Sequence, residues 1–227
     1  MWGPRFGVTM DEILQEEMSR VYRQNLWGSK ESRSGRGSSP IQTMYLEHEV
    51  PMLFDRMEID SLLDIPCGDF RWMSKVLERS SRKINYHGAD IVENIIKTNK
   101  QKETDSIHFS CLDITTDPLP KVDLVFSRDC FVHLSDSMIL KAFKNIKDSG
   151  SAYIAMTNFS WFHLPNKALE NEDIVGGNWR KINFRMRPFY MPSPIDFISE
   201  GSTEELGKDK TIGVWRVSDL PDCLTLE

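Results

Sequence analysis

In MDEILQEEMSRVYRQ, residues 10–24, the apolar positions Ile13, Met18, Val21 and Tyr22 recur at helical intervals, which predicts a helix. The pattern breaks in LWGSKESRSGRGSSP, residues 26–40, where glycine, serine and charge predict a loop. Ser39, Pro40 and Gln42 then predict a helix start: the serine hydroxyl can cap free amides, proline suits the first turn, and glutamine can reach back. That helix is expected to end near Arg56.

Beyond it the pattern alternates. Short β-like runs occur at SLLDI (61–65), INYHGAD (84–90), IHFSCL (107–112), VDLVFS (122–127) and SAYIAMT (151–157). Three of the intervals carry helical patterns, FRWMSKVLERS, IVENIIKTNK and SDSMILKAFKNIKD. Strands alternating with helices require crossover connections, hence a mostly parallel sheet covered on both faces. The exception is HFSCLDITTDPLPKVDLVF, whose connection is too short and too rich in proline for a full helix. INFRMRPF (182–189) and KTIGVWRV (210–217) have no convincing helix between them and predict a closing antiparallel pair.

Composition narrows the class. With 227 residues, 40% of them hydrophobic, the chain can bury one sizeable core. We read one domain over 1–227: N-terminal helices and a lid loop (1–57), a cofactor-binding core (58–158), and an acceptor loop with a terminal hairpin (159–227). The first residues lack the basic start and apolar stretch of a secretory signal, and no segment approaches a membrane span. This predicts a cytoplasmic protein, in the host's cytoplasm if the gene is viral. A net charge of −6 argues against broad nucleic-acid binding, so no DNA partner is expected, although Arg180, Lys181, Arg185 and Arg187 suggest a local basic patch. Cys67, Cys111, Cys130 and Cys223 have no CxxC spacing and are expected to be small buried thiols.

The candidate chemistry begins in SLLDIPCGDF, an apolar run that stops in a small-residue turn. Open α/β sheets bind ligands at the carboxyl ends of their strands, near the switch point after the first. Asp64 ends that strand, and Gly68 occupies the turn before a helix. Asp90 ends the next strand, where a carboxylate would meet the ribose hydroxyls of a nucleoside, and Asp113 ends the one after. A dinucleotide fingerprint would have glycine in place of Pro66 and Phe70. Pro66 removes an amide donor and Phe70 adds bulk where a pyrophosphate needs close backbone approach, which disfavours NAD. A nucleoside with a cationic centre and an amino-acid tail, such as S-adenosylmethionine, fits this loop better.

DIPCGDF, GAD, LDI and DLVFSRDCFVHLS, in that order over residues 58–158, resemble the motifs of class I S-adenosylmethionine-dependent methyltransferases. The resemblance implies a Rossmann-like, mostly parallel seven-stranded sheet with helices on both faces and a C-terminal antiparallel hairpin. It also implies donor contacts from Asp64, Pro66, Cys67 and Gly68, from Asp90 with Ile91, from Asp113 with Ile114, and from Arg128, with S-adenosylhomocysteine as the product. A narrower set, VYRQNLWGS…SGRGSS, SRDCFVHLS and GGNWRKINF…RPFYMPSP, is similar to small methyltransferases of glycan-assembly genes in bacteria and large algal viruses. That likeness implies a sugar or glycan acceptor, methylated on a hydroxyl, and a larger glycan-synthesis polypeptide or complex as a further partner.

Methyl transfer to an alcohol requires alignment and removal of a proton, by a base or by a metal that acidifies the hydroxyl. Asp129 and His133 are four residues apart, so a helical turn would put them on one side, with Asp129 orienting His133 as the base. No clear acid or histidine cluster marks a metal site, and a divalent metal stays open as an alternative. In the N-terminal loop, Trp27 could fold over a flat ring while Arg36 or Ser38 meets the donor carboxylate, making the loop a lid. Trp179 and Arg180, after Gly176 and Gly177, could line an acceptor pocket.

Each residue also has a plainer reading. Asp64 and Asp113 could cap turns, His133 could pack at a helix entry, Trp179 could anchor a loop, and residues 26–40 could be a linker. Rival functions are methylation of another small molecule or a protein side chain, a non-catalytic S-adenosylmethionine-binding module, and a nicotinamide oxidoreductase. SRDC stands where nucleic-acid amino-group methyltransferases commonly have [DN]PP[YF], which lowers base methylation.

Overall fold

The computed structural model describes residues 10–26, 28, 34–159, 171–200 and 209–223. The apolar runs after residue 60 become strands β1 (Ser61–Asp64), β2 (Asn85–Asp90), β3 (Ile107–Cys111), β4 (Leu124–Ser127) and β5 (Tyr153–Phe159), followed by β6 (Asp196–Ser199) and β7 (Lys210–Arg216). They form one sheet in the order β3-β2-β1-β4-β5-β7-β6. The first five strands run parallel, and β7 runs antiparallel to both β5 and β6. This is the mixed seven-stranded sheet with a C-terminal hairpin that the sequence predicts. The order reverses at β1 and β4, so the switch point lies at the end of SLLD, where the chain must open a crevice.

Helices cover both faces. Alternation along the strands sends Leu63, Val125, Ile154 and Met156 to one side, where α6 (Asp136–Asp148) packs with Ile139, Phe143 and Ile146. The other side receives Leu62, Leu124, Phe126 and Val214, and packs on α3 (Leu46–Arg56) and α4 (Arg71–Arg79). The period of two is what lets each short strand feed two cores at once. Ser135 caps α6, its hydroxyl accepting from the Met138 amide. α5 (Glu93–Asn99) follows β2, and no helix stands between β3 and β4.

Three expectations need correction. Residues 182–189 are not a strand: the hairpin partner of β7 is Asp196–Ser199. Ile182, Phe184 and Phe189 are buried in the α6-side core, and the Asn171 amide donates to the carbonyls of Asn183 and Arg187 at 2.9 and 2.6 Å. Those carbonyls are satisfied without a strand neighbour, so an apolar run becomes a packed loop. The helix expected from Pro40 to Arg56 breaks at Met44 and Tyr45 into α2 (Pro40–Thr43) and α3, and Ser39 uses its carbonyl rather than its hydroxyl to accept from Gln42 and Thr43. Among the cysteines, Cys67 is buried and Cys130 half-buried, but Cys111 and Cys223 are exposed; all four are unpaired.

The N-terminal helix α1 (Met10–Arg23) lies across the carboxyl ends of the strands. The Gln15 side chain donates to the Ile91 carbonyl at 3.3 Å, and Leu14 is buried in the same core as Ile65 and Ala89.

Gly213 in β7 has a strict packing role. A Cβ there would lie 2.3 Å from the fully buried Trp215 ring. Gly213→Ala is expected to cost about 1–3 kcal/mol by forcing that ring from its place. Urea unfolding measures it, and an unchanged midpoint would mean that Trp215 swings aside freely.

Candidate active site

The loop after β1 is built by exchanging glycine freedom for core packing. Phe70 takes the left-handed conformation, φ 61°, just before α4, a position where glycine would be unstrained. Its ring packs against Tyr86 and Phe109, with centroids 4.9 and 5.0 Å away. The bulk therefore points into the core rather than into the crevice. Gly68 is also left-handed, φ 54°, and a Cβ there would sit 2.6 Å from the Ser34 hydroxyl. Ser34 accepts from the Asp69 amide at 3.0 Å, so the 34–38 segment is laid directly over the loop.

Two acids close the ends of β1 and β2. Asp64 accepts a hydrogen bond from the Tyr86 hydroxyl at 2.8 Å on Oδ2, and its Oδ1 accepts none from the described residues. Burial pushes its proton affinity from an ordinary 3.8 to about 7, partly offset by Tyr86 and reinforced by Asp90. Asp90 accepts from the Gly68 amide at 3.2 Å and from the Val92 amide at 2.9 Å. Burial raises it to about 6, against the pull of those two amides. Asp113 follows β3 by two residues, and its carboxylate accepts from the Thr115 amide and hydroxyl, both at 2.7 Å.

The turn after β4 carries a closed ring of four charges. Buried Arg128 donates to both oxygens of buried Glu200, the closest contact being 2.6 Å, and lies 3.5 Å from Asp129 Oδ2. Lys210 Nζ donates to Asp129 Oδ2 at 2.7 Å and lies 3.2 Å from Glu200. Although burial pushes Asp129 up, Lys210 and Arg128 hold its carboxyl well below the usual range. His133 ends a short 3-10 turn, Phe131–His133, and its Nδ1 is 2.9 Å from the Asn178 carbonyl. A carbonyl only accepts, so Nδ1 carries the hydrogen in this contact.

These groups share one cavity of about 580 Å³, a size suited to a nucleoside-sized ligand. Its walls include Asp64, Gly68 and Asp90 on one hand and Asp129, His133 and Trp179 on the other. Trp179 is 53% exposed and stands edge-on to Phe159, with centroids 6.1 Å apart.

Residues 62–149 match the family model described as a methyltransferase domain. Human N-acetylserotonin methyltransferase, solved in complex with S-adenosylmethionine, superposes with a TM-score of 0.58 at 15% identity over 93% of this chain. The chain spans 60% of that enzyme's length. The 1,6-didemethyltoxoflavin-N1-methyltransferase of Burkholderia thailandensis, solved with 1,6-didemethyltoxoflavin and S-adenosylhomocysteine, superposes with a TM-score of 0.60 at 13% identity, covering 95% of this chain and 92% of that one. No curated protein matches the sequence. This is the class I methyltransferase fold.

Within the methyltransferase fold, the cavity gathers most of the residues singled out in the sequence: Asp64, Pro66, Cys67 and Gly68; Asp90 and Ile91; Asp113 and Ile114; Arg128, Ser38 and Trp179; and the pair Asp129 and His133. Trp27 and the Arg36 side chain lie outside the described residues. Arg180 does not line the cavity. It is buried behind it, donating to Asp136 at 2.7 Å and to the Leu134 carbonyl at 3.0 Å, which makes it an anchor for the loop that holds Trp179. Of the four residues of the suggested basic patch, Arg180 is buried and Lys181 is paired to Asp209 at 2.8 Å, while Arg185 is exposed. The expected orientation of His133 by Asp129 is also replaced: the Asn178 carbonyl holds Nδ1, because residues 175–180 fold back over the turn, Gly177 and Arg180 donating to the carbonyls of His133 and Val132.

Sequence reasoning missed Lys210 and Glu200. They flank residues 201–209 and had no motif, and only the hairpin brings them under Asp129. Tyr86 was missed for a different reason: only the packing of β2 beside β1 turns its hydroxyl to Asp64.

The raised affinity of Asp64 has a thermodynamic consequence. Its contribution to folding is fully present below pH 3.8 and is lost as the pH rises through about 7, because the folded chain then holds a charged buried acid. Without donor, the melting temperature of Asp64→Asn is expected to gain on the wild type between pH 5 and pH 8, by about 2–4 °C for each kcal/mol involved. A difference that does not vary with pH would mean that Asp64 ionises in the fold as it does in the unfolded chain.

Proposed function

We propose that the chain is an S-adenosylmethionine-dependent methyltransferase acting on a hydroxyl of a small acceptor, with a sugar hydroxyl in glycan assembly as the favoured substrate class. The observation that carries this reading is one cavity with buried acids at the strand ends and, in the same walls, a histidine whose tautomer is fixed and an exposed tryptophan. The sugar assignment rests on the sequence likeness, and Trp179 supports it, since an aromatic face suits the apolar side of a sugar ring.

The residues fit this donor. Asp64 is a buried acid that lines the cavity, and a cationic ligand there would compensate its charge. Asp90 uses two amides and keeps acceptor capacity for hydroxyls, as a ribose requires. When bound, the donor supplies an electrophilic methyl group on a sulfonium sulfur.

The chain's own residues then have distinct tasks. His133 takes the acceptor proton at Nε2, with Nδ1 held on Asn178; burial lowers its proton affinity and keeps the ring neutral and ready. Asp129 is an electrostatic partner rather than the base, because a carboxyl held so far below its usual range binds a proton poorly. Met18 and Leu14 of α1, with Ser34 to Ser38, wall the cavity against water, which strengthens the polar contacts inside.

Calorimetric titration with S-adenosylmethionine and S-adenosylhomocysteine tests the donor half. Binding to wild type and loss of binding in Asp90→Ala are expected, while His133→Asn should keep the affinity and lose about 10²- to 10⁴-fold in turnover on a glycan acceptor found by screening. Absence of binding to either ligand would overturn the methyltransferase reading. Unchanged turnover in His133→Asn would overturn the base.

A further inference from the structure

Asn99 ends α5 in the interior, 1% exposed, and does not line the cavity, yet its side chain is directed to the loop after β1. Its Nδ2 donates to the Gly68 carbonyl at 2.7 Å and to the Cys67 sulfur at 3.8 Å. Its Oδ1 accepts from Lys102 Nζ at 3.2 Å. The same ammonium donates to the Asp69 carbonyl at 2.9 Å and lies over the Phe70 ring, 5.7 Å from its centroid. Lys102 closes the 3-10 turn Lys100–Lys102 that follows α5, so one helix end holds two successive carbonyls of the loop.

The amide ends of the same two peptides are held as well. The Asp69 amide donates to Ser34 Oγ at 3.0 Å, and the Phe70 amide to the Cys67 carbonyl at 3.3 Å. The preceding amide, that of Gly68, is the one that donates to Asp90. Gly68 and Phe70 are both left-handed, and a left-handed phenylalanine persists only where its surroundings over-determine it.

We infer that Asn99 is a positioning residue for donor binding: it fixes the Gly68–Asp69 peptide, and through it the Gly68 amide on Asp90 and the seat of Ser34 on the loop. The inference rests on the reading of this cavity as the donor site. Asn99 touches the loop rather than the ligand space, so it acts by holding the loop in its binding geometry before the ligand arrives, which spares an ordering cost on association. Lys102 has the same task on the next carbonyl, from an exposed position. Without Asn99 the Gly68 carbonyl loses this donor, and the peptide is free to turn and draw the neighbouring amide from Asp90.

Calorimetric titration with S-adenosylhomocysteine, run well below the melting temperature of each variant, tests this without any acceptor. Asn99→Leu nearly keeps the side-chain shape but cannot donate, and is expected to lower the affinity about 10-fold or more. Lys102→Met is expected to lower it about threefold, since the Asp69 carbonyl and Asn99 Oδ1 each lose a donor. Thr98→Ala is the control: it alters the same helix end, where the hydroxyl donates only to the Asn94 carbonyl, and should leave the affinity unchanged. A residue that merely supported the fold would lower the melting temperature and leave the affinity of the folded chain as it was; that result in Asn99→Leu, or an equal loss in Thr98→Ala, would overturn the proposal. If Asn99→Leu does not fold, Lys102→Met decides by the same criterion. Wild-type binding with unchanged affinity in the variants overturns this proposal alone, whereas a wild type that does not bind overturns the donor reading and this proposal with it.

Discussion

Asp64 and Asp90 end neighbouring parallel strands with their carboxylates out of water, and a buried acid is costly unless something compensates it. Tyr86 and the amides of Gly68 and Val92 compensate only in part, so both acids hold their protons more tightly than usual. The surrounding structure follows from that constraint. The loop between the strands turns its amides toward Asp90, and α1 and residues 34–38 line the crevice above the two acids.

Phe70 shows how the loop meets this constraint without the usual glycines. A left-handed phenylalanine is strained, but its ring joins Tyr86 and Phe109 in the core, and burial of an aromatic of this size offsets such a cost. Tyr86 thus has two functions, carrying the Phe70 ring on one side and donating to Asp64 on the other. Packing beneath the loop and electrostatics above it are coupled through one side chain.

In the turn after β4 the charges are balanced internally rather than left open. Breaking one partner of a buried pair costs about 3–5 kcal/mol, which gives the Arg128–Glu200–Lys210–Asp129 ring a structural hold on the terminal hairpin as well as a place in the site. The hairpin is therefore tied to the turn after β4 and is not only an edge for the sheet. Arg180 takes the complementary part, tying the Trp179 loop to α6 through Asp136.

The sequence by itself determined the alternation of strands and helices, the turn after SLLD and the acids at Asp64 and Asp90, because period-two apolar runs and strand-end residues are local signals. It also marked the SRDCFVH segment, since acid and histidine lie within one turn of each other. Only the tertiary structure decided that residues 182–189 pack as a loop, since their apolar pattern equally suits a strand and the outcome depends on where the Asn171 amide lands. Likewise, Arg180 turned from a ligand candidate into an anchor because Asp136 stands behind it, and His133 is held by a backbone carbonyl that no side-chain pattern encodes. Lys210 and Glu200 entered the site for the same reason: their partners, Asp129 and Arg128, are 81 and 72 residues away in the chain, and contacts at that separation exist only once the sheet has closed.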